Sequence, residues 1–237
     1  MKVVAHRGFS SRYPENSFES FDAAIGAGAD YVETDVRMTS DRVLVCSHDP
    51  DLQRIAGRET KIADTTIDSL ERIVLPHGGR ILRLEAVLSH LRSGAPVMLD
   101  VKIDADAQRR AIIDCVAAAG MTERVVYGVR SAAHARALIA DGAAFDRLAM
   151  PAEPSMLDEF PDDGLVGVRL WEDQVDEAAI ARIRRRGLPV WVTAGHRKQG
   201  EAPGFITAQR LQRLKSSGVD AVLVNDVELA VRLAKGK

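Results

Sequence analysis

Nine short runs rich in β-branched and apolar residues, at 3–6, 31–36, 43–48, 96–101, 125–129, 147–150, 165–170, 189–194 and 221–225, are strung between segments of helical character. Such alternation along a whole chain points to an α/β fold with parallel strands. Helices are expected at 17–27, 84–92, 107–119, 132–141, 177–186, 207–216 and 227–234, with a weaker one at 155–160 bracketed by Pro154 and Pro161. Gly28, Gly120, Gly142, Gly187 and Gly218 follow helix ends, where a left-handed cap favours a residue without Cβ.

One link breaks the alternation and decides the topology. Only six residues, 37–42, separate the second run from the third. A parallel crossover needs about a dozen or more, so the run 43–48 should fold back on 31–36 as a short antiparallel arm. Setting it aside leaves eight strands and eight helical links, the count of a TIM (β/α)8 barrel. A doubly wound open sheet is the alternative, but no Gly-x-Gly-x-x-Gly turn follows the first strand. The stretch 49–83 is the one long connection without clear strand content, and reads as a small insertion near the barrel mouth. One barrel domain is then expected over 1–237, with no room for a second domain or a leader.

Composition narrows the function classes. Lys+Arg 32 against Asp+Glu 34 gives a net charge of −2, and aromatics are only 5%, so neither a basic footprint nor a stacking platform for nucleic acid is expected. No stretch approaches the roughly 18 apolar residues of a membrane span. Polarity returns at His6, before a signal peptide of about 15–30 residues could form, so the cytoplasm is the expected compartment. Cys46 and Cys115 lie in apolar runs outside any metal or redox spacing and read as buried free thiols.

In such barrels the chemistry lies at the C-terminal ends of the strands. The first strand ends in His6-Arg7-Gly8. That suits a base beside an anion clamp, although alone it fits surface decoration as well. Glu33 and Asp35 are two apart on a strand and point to one face. Like charges so close repel unless a cation or proton lies between them, and an oxygen-liganded Mg²⁺ or Ca²⁺ answers that. The blander reading has one carboxylate capping a loop and the other paired with a Lys. Asp100 and Lys102 repeat the pattern, adding a third carboxylate and a cation. A turn near Asp41-Arg42 would set His48 roughly opposite Asp35, bringing a second imidazole to the mouth. Two histidines flanking a metal and an Arg form an acid/base pair suited to phosphate-ester chemistry. His77, His90 and His134 read as surface residues. His196 and Arg169 could touch substrate or belong to solvated charge runs, and Trp191 could wall the mouth or pack inside the barrel.

Taken together, His6-Arg7-Gly8, Pro14-Glu15-Asn16-Ser17, Glu33-x-Asp35-Val36, His48-Asp49, Leu99-Asp100-Val101-Lys102, Val190-Trp191 and Gly218-Val219-Asp220-Ala221-Val222 resemble the glycerophosphodiester phosphodiesterase family, over nearly the whole chain. The resemblance implies a TIM barrel with a small insertion that hydrolyses glycerophosphodiesters to glycerol 3-phosphate and an alcohol. It implies His6 and His48 as the general acid/base pair, and Glu33, Asp35 and Asp100 as ligands of one divalent cation, Mg²⁺ or Ca²⁺. Arg7 and Lys102 would bind phosphate oxygens, Trp191 would line the glycerol side, and Glu15 and Asn16 would support the first loop, with Asn16 approaching substrate. The partner is then a small-molecule glycerophosphodiester. Asp100 departs from the family's commoner Glu, Trp191-Val192-Thr193-Ala194 from Trp-Thr-Val-Asn, and Gly128-Val129 from Ser-Phe, changes that bear on alcohol-side specificity. Two rivals are phospholipase-D-like cleavage of lysolipids and a non-catalytic phosphate-ester-binding barrel. The first calls for an apolar lip, and Ile55, Ile62 and Ile67 are isolated in a mostly polar insertion; the second needs no pair of acid/base groups.

Overall fold

The computed structural model describes residues 1–76, 78–103 and 105–236, with the backbone alone at Lys198. Its strands are β1 (Lys2–Ala5), β2 (Tyr31–Met38), β3 (Leu44–Cys46), β4 (Asp51–Leu52), β5 (Arg58–Lys61), β6 (Leu82–Arg83), β7 (Val97–Val101), β8 (Val125–Val129), β9 (Asp146–Ala149), β10 (Leu165–Trp171), β11 (Val190–Thr193) and β12 (Ala221–Val224). Eight of them form a parallel ring in the order β1-β2-β7-β8-β9-β10-β11-β12, and pairing of β12 with β1 closes it. The helices are α1 (Phe18–Gly26), α2 (Gln53–Ala56), α3 (Ile67–Glu71), α4 (Leu84–Leu91), α5 (Asp106–Ala118), α6 (Ala132–Ala140), α7 (Glu177–Arg185), α8 (Ala208–Ser216) and α9 (Val227–Lys235). The link from β9 to β10 carries a 3₁₀ helix, Pro154–Glu159, where an α-helix was expected only weakly.

Strand alternation sorts the side chains into two cores. Val3, Ala5, Val32, Val36, Tyr127 and Val222 face outward and pack against the helices. Val4, Met98, Val126, Leu148, Met150, Trp191, Ala221 and Leu223 fill the barrel interior. Each fully buried Val, Leu or Met contributes about 1.5–3 kcal/mol, so the closed ring rests on many small terms. The antiparallel arm is present: β3 pairs with β2 through Val36↔Cys46, Arg37↔Val45 and Met38↔Leu44.

Three expectations need correction. The insertion does contain strands: β4 pairs with β5, and β6 adds to the arm beside β3. These pieces are two to four residues long, too short to show an alternating pattern. Ile62 and Ile67 are not isolated either; with Val45, Leu52, Leu70 and Ile81 they make a third small core between the insertion and β3. His134 is buried rather than on the surface, its Nε2 3.2 Å from the Tyr127 hydroxyl. His90 is exposed and pairs with Asp22 at 2.7 Å, and His77 lies outside the described residues. Cys46 is buried and free, whereas the free Cys115 is half-buried.

Candidate active site

The register of the parallel strands assembles the mouth. Asp35 on β2 stands beside Asp100 on β7, and Glu33 beside Met98. Ligand oxygens of Glu33, Asp35 and Asp100 lie within 4.8 Å of one another. Beside Asp100 on β8 comes Gly128, where a Cβ would sit 2.7 Å from the Met150 methyl. The first-strand loop closes on this cluster through an unusual backbone. Arg7 (φ 57°) and Asn16 (φ 54°) are non-glycine residues in the left-handed region, and Gly8 (φ 80°) sits between them. That turn aims the Arg7 N–H at Glu33 Oε2, 2.8 Å away.

Around the cluster, positive groups are already engaged. Lys102 Nζ is 2.7 Å from both Asp35 Oδ1 and Asp100 Oδ2. Arg7 Nε lies 3.2 Å from Asp35 Oδ2, and its Nη1 3.2 Å from Glu15 Oε1. Arg130 pairs with the other Asp100 oxygen. Burial and the neighbouring Asp35 push the Glu33 carboxyl well above its ordinary range. Asp35 is just as buried, but Lys102 and Arg7 outweigh burial and hold it below the usual carboxylate range. Asp100 is held low in the same way, with Lys102 and Arg130 overcoming its burial.

Both predicted histidines reach the mouth. The pairing puts Ser47 rather than His48 opposite Asp35, through a Ser47 N–H donated to the Asp35 carbonyl at 3.2 Å. His48 continues one residue further, with its carbonyl held by Arg37 Nε at 2.9 Å. Its Nδ1 meets Asp49 Oδ1 at 2.7 Å, and Arg54 ties Asp49 to Glu15. His6 Nδ1 meets Asn225 Oδ1 at 2.8 Å. Asn225 Nδ2 donates to the Pro203 carbonyl, which fixes Oδ1 as the acceptor. His6 therefore carries its proton on Nδ1 and leaves the Nε2 lone pair free. Burial, and then Arg7, lower its pKa to about 4, so the ring is neutral at physiological pH.

A cavity of about 320 Å³ joins these groups, bounded by His6, Arg7, Glu33, His48, Asp100 and Lys102. Arg37, Arg130, Arg169, Trp171 and Thr193 also line it, with Met98, Met150, Pro203 and Leu223. Asp35 stands behind this surface, fully buried. Asn16 does not line the cavity, contrary to expectation. Its Nδ2 donates to Asp35 Oδ2 at 3.1 Å and its Oδ1 accepts from Thr34 Oγ1, so it orients the carboxylate. Trp191 is likewise displaced from its expected place: it packs inside the barrel against Tyr31, one alternation below Thr193, and Trp171 walls the mouth instead. His196 stays out of the cavity, 3.5 Å from Glu172. Sequence reasoning missed Arg37, Arg130, Trp171 and Asn225. Their signal was parity: each lies two residues beyond an inward-facing position (Asp35, Gly128, Arg169, Leu223) at a strand's C-terminal end.

Fold and mouth together define a (β/α)8 barrel carrying a carboxylate cluster, two histidines and a cationic wall. The Glycerophosphoryl diester phosphodiesterase family model matches residues 6–146, and the chain belongs to that family. It is 41% identical over 71 residues to the glycerophosphodiester phosphodiesterase of Bacillus altitudinis, covering 30% of this chain and 29% of the relative. The matched stretches span less than half the length of the curated relatives. Solved structures share the fold. The glycerophosphodiester phosphodiesterase of Agrobacterium tumefaciens superposes with TM-score 0.79 at 24% identity, covering 97% of this chain and 98% of that one. An Oleispira antarctica phosphodiesterase in complex with the product sn-glycerol-3-phosphate gives TM-score 0.83 at 19% identity, covering 99% and 97%.

The family generally uses a divalent metal, and the residues here fit one. The donors are all carboxylate oxygens, as hard cations require. Asp35 Oδ1 is wholly buried and, apart from its ion pair with Lys102, makes no hydrogen bond. Lys102, Arg7 and Arg130 pair with Asp35 and Asp100, but among the described residues no cationic side chain pairs with Glu33, which leaves that third carboxylate open to a cation.

Proposed function

We propose that the chain is a metal-dependent phosphodiesterase that hydrolyses small glycerophosphodiesters to glycerol 3-phosphate and an alcohol. One observation carries this reading: His6 and His48 line the same cavity as two of the three clustered carboxylates, together with Arg7 and Lys102. Glu33, Asp35 and Asp100 would hold one Mg²⁺ or Ca²⁺, which when bound polarises a phosphate oxygen and acidifies a nearby hydroxyl.

His6, neutral and with Nε2 free, takes the proton of the attacking hydroxyl. His48, its ring oriented by Asp49, gives a proton to the departing alcohol oxygen as the P–O bond breaks. Such transfers are worth roughly 10²–10⁴-fold each. Attack by the adjacent glycerol hydroxyl would be intramolecular, with a large effective-molarity gain, and would pass through a cyclic phosphate that water then opens. Arg7 and Lys102 stabilise the charge that builds on the phosphoryl oxygens. Asn16 and Glu15 act behind them, holding Asp35 and Arg7 in place. The free thiols at Cys46 and Cys115 suit a reducing compartment, and the cytoplasm is proposed on that ground. Among the described residues no helix is long and apolar enough to cross a membrane.

The test is turnover of glycerophosphocholine, before and after EDTA and with Mg²⁺ or Ca²⁺ restored. Activity lost to the chelator and recovered with one of the ions is expected. Full activity in EDTA would remove the metal from the reading, and wild-type rates in His6→Ala or His48→Ala would remove the acid/base pair.

A further inference from the structure

The wall facing the carboxylate cluster carries a charge that the proposed reaction does not use. Arg169 is on the inner face of β10, four strands round the ring from β2, and is only 3% exposed although it borders the cavity. Among the described residues no carboxylate comes within ion-pair distance of it. Its Nη1 is buried with no hydrogen-bond partner, and its Nη2 meets only the Met150 sulfur at 3.4 Å. Its guanidinium carbon lies 4.6 Å from the centre of the Trp171 ring.

The charges around it do not neutralise it. Asp100 and Glu33 belong to the cluster across the mouth, and Asp100 is already shared between Lys102 and Arg130. Arg197 lies 4.6 Å from the same Trp171 ring, adding a like charge. Asp173 approaches Arg197 Nε at 3.9 Å and does not reach Arg169. A buried guanidinium without an anion is costly. Burial indeed holds the Arg169 pKa down at about 10, with Arg130 and Arg197 acting in the same direction. Trp171 and Met150 place the planar fork without quenching its charge, which leaves Nη1 as a preformed donor for a carboxylate or phosphate.

We propose that this chain acts on phosphodiesters carrying a second anionic group, lodged on Arg169 against the Trp171 wall while the scissile phosphate sits at the carboxylate cluster. The inference rests on the phosphodiesterase reading and narrows it. Substrates whose alcohol is cationic, such as glycerophosphocholine, would be turned over but disfavoured, since the wall that should receive them is positive.

Three matched pairs test this, each differing by one anionic group. Glycerophosphoserine is set against glycerophosphoethanolamine for a carboxylate on the alcohol side. The phosphate monomethyl ester of 3-phosphoglycerate, its carboxylate free, is set against that of glycerol 3-phosphate for a carboxylate on the glycerol side. Glycerophosphoglycerol bearing a terminal phosphate is set against glycerophosphoglycerol for a phosphate. In at least one pair the anionic member should be favoured about 10- to 100-fold in kcat/KM, the worth of one charge-assisted pairing. The difference should fall mainly in KM. Arg169→Met should shrink that ratio to within about 3-fold, and Arg169→Lys, which keeps the charge but loses the fork, should retain part of it. The melting temperature of Arg169→Met should equal or exceed that of wild type, because an unpaired buried charge is removed.

Equal kcat/KM within all three pairs, with the members lacking the second anion turned over, would overturn the inference and leave the phosphodiesterase reading intact. An equal loss on all six substrates in Arg169→Met would overturn it too, assigning Arg169 to the scissile phosphate. Absence of turnover of every substrate by wild type would overturn both readings.

Discussion

Replacing Gly8 by Ala should unfold much of what the first-strand loop builds. Gly8 has φ 80°, and an L-residue with a Cβ loses about 1–2 kcal/mol in that conformation. The added Cβ would also lie 2.2 Å from Ser20 Oγ, 2.7 Å from Ser20 Cβ and 2.8 Å from the Ser20 carbonyl carbon. The last is helix backbone, so rotating a side chain cannot relieve the overlap, and overpacking of this kind costs about 1–3 kcal/mol. Ser20 is the third residue of α1 and half of its capping box, with Ser17 Oγ accepting from Ser20 N–H at 3.1 Å. Displacing it puts about 1 kcal/mol of capping at risk. Together Gly8→Ala should lose about 3–6 kcal/mol, a large part of a stability that is typically about 5–15 kcal/mol. Gly142 supplies the control. Its φ is 78°, yet nothing lies within 4 Å of the corresponding Cβ, so Gly142→Ala should lose only the conformational part, about 1–2 kcal/mol. Urea unfolding of both variants measures the difference. Losses equal to within about 0.5 kcal/mol would refute the contact argument and leave backbone conformation as the whole effect.

Other expectations can be checked beside it. Asp49→Ala frees the His48 ring and should lower kcat about 10- to 100-fold in a glycerophosphodiester turnover assay, with less change in KM; an unchanged kcat would show that the pairing does not orient the acid. The pKa of His6 falls from 6.5 unfolded to about 4 folded, so between those values the unfolded chain binds more protons. Stability should therefore be full above pH 6.5 and decline as pH falls toward 4, by up to about 3 kcal/mol from this group. His6→Asn should flatten that acid limb, and identical urea midpoints across pH 4.5–7.5 in both proteins would contradict the assignment. Burial pushes the Cys46 thiol up to about 12 and that of Cys115 to about 11. In native protein Cys46 should resist iodoacetamide while half-buried Cys115 reacts slowly, which mass spectrometry after timed quenching would read.

The fold was legible because its signals are local. The short link at 37–42 forbade a parallel crossover and exposed the antiparallel arm, and the eight remaining strands closed as counted. The insertion was not legible, since β4, β5 and β6 are too short for periodicity and their apolar residues matter only once folded onto β3. Of the candidate residues, His6, Arg7, Glu33, Asp35, His48, Asp100 and Lys102 arrived at the mouth. Asn16 and Trp191 did not: Asn16 turned its amide to Asp35, and Trp191 stayed one alternation too deep.

What the chain alone determined is therefore which residues share a strand face, because alternation and crossover length are properties of consecutive residues. Glu33 with Asp35, Asp100 with Lys102, and His6 before Gly8 were all readable in that way. Only the tertiary structure decided which faces meet. Closing the ring set Asp35 beside Asp100, brought Asn225 from the end of the last strand to the imidazole of His6, and left Arg169 buried across the cavity with no carboxylate partner among the described residues. Those contacts join residues up to 219 positions apart. They depend on register between strands, which no local pattern specifies.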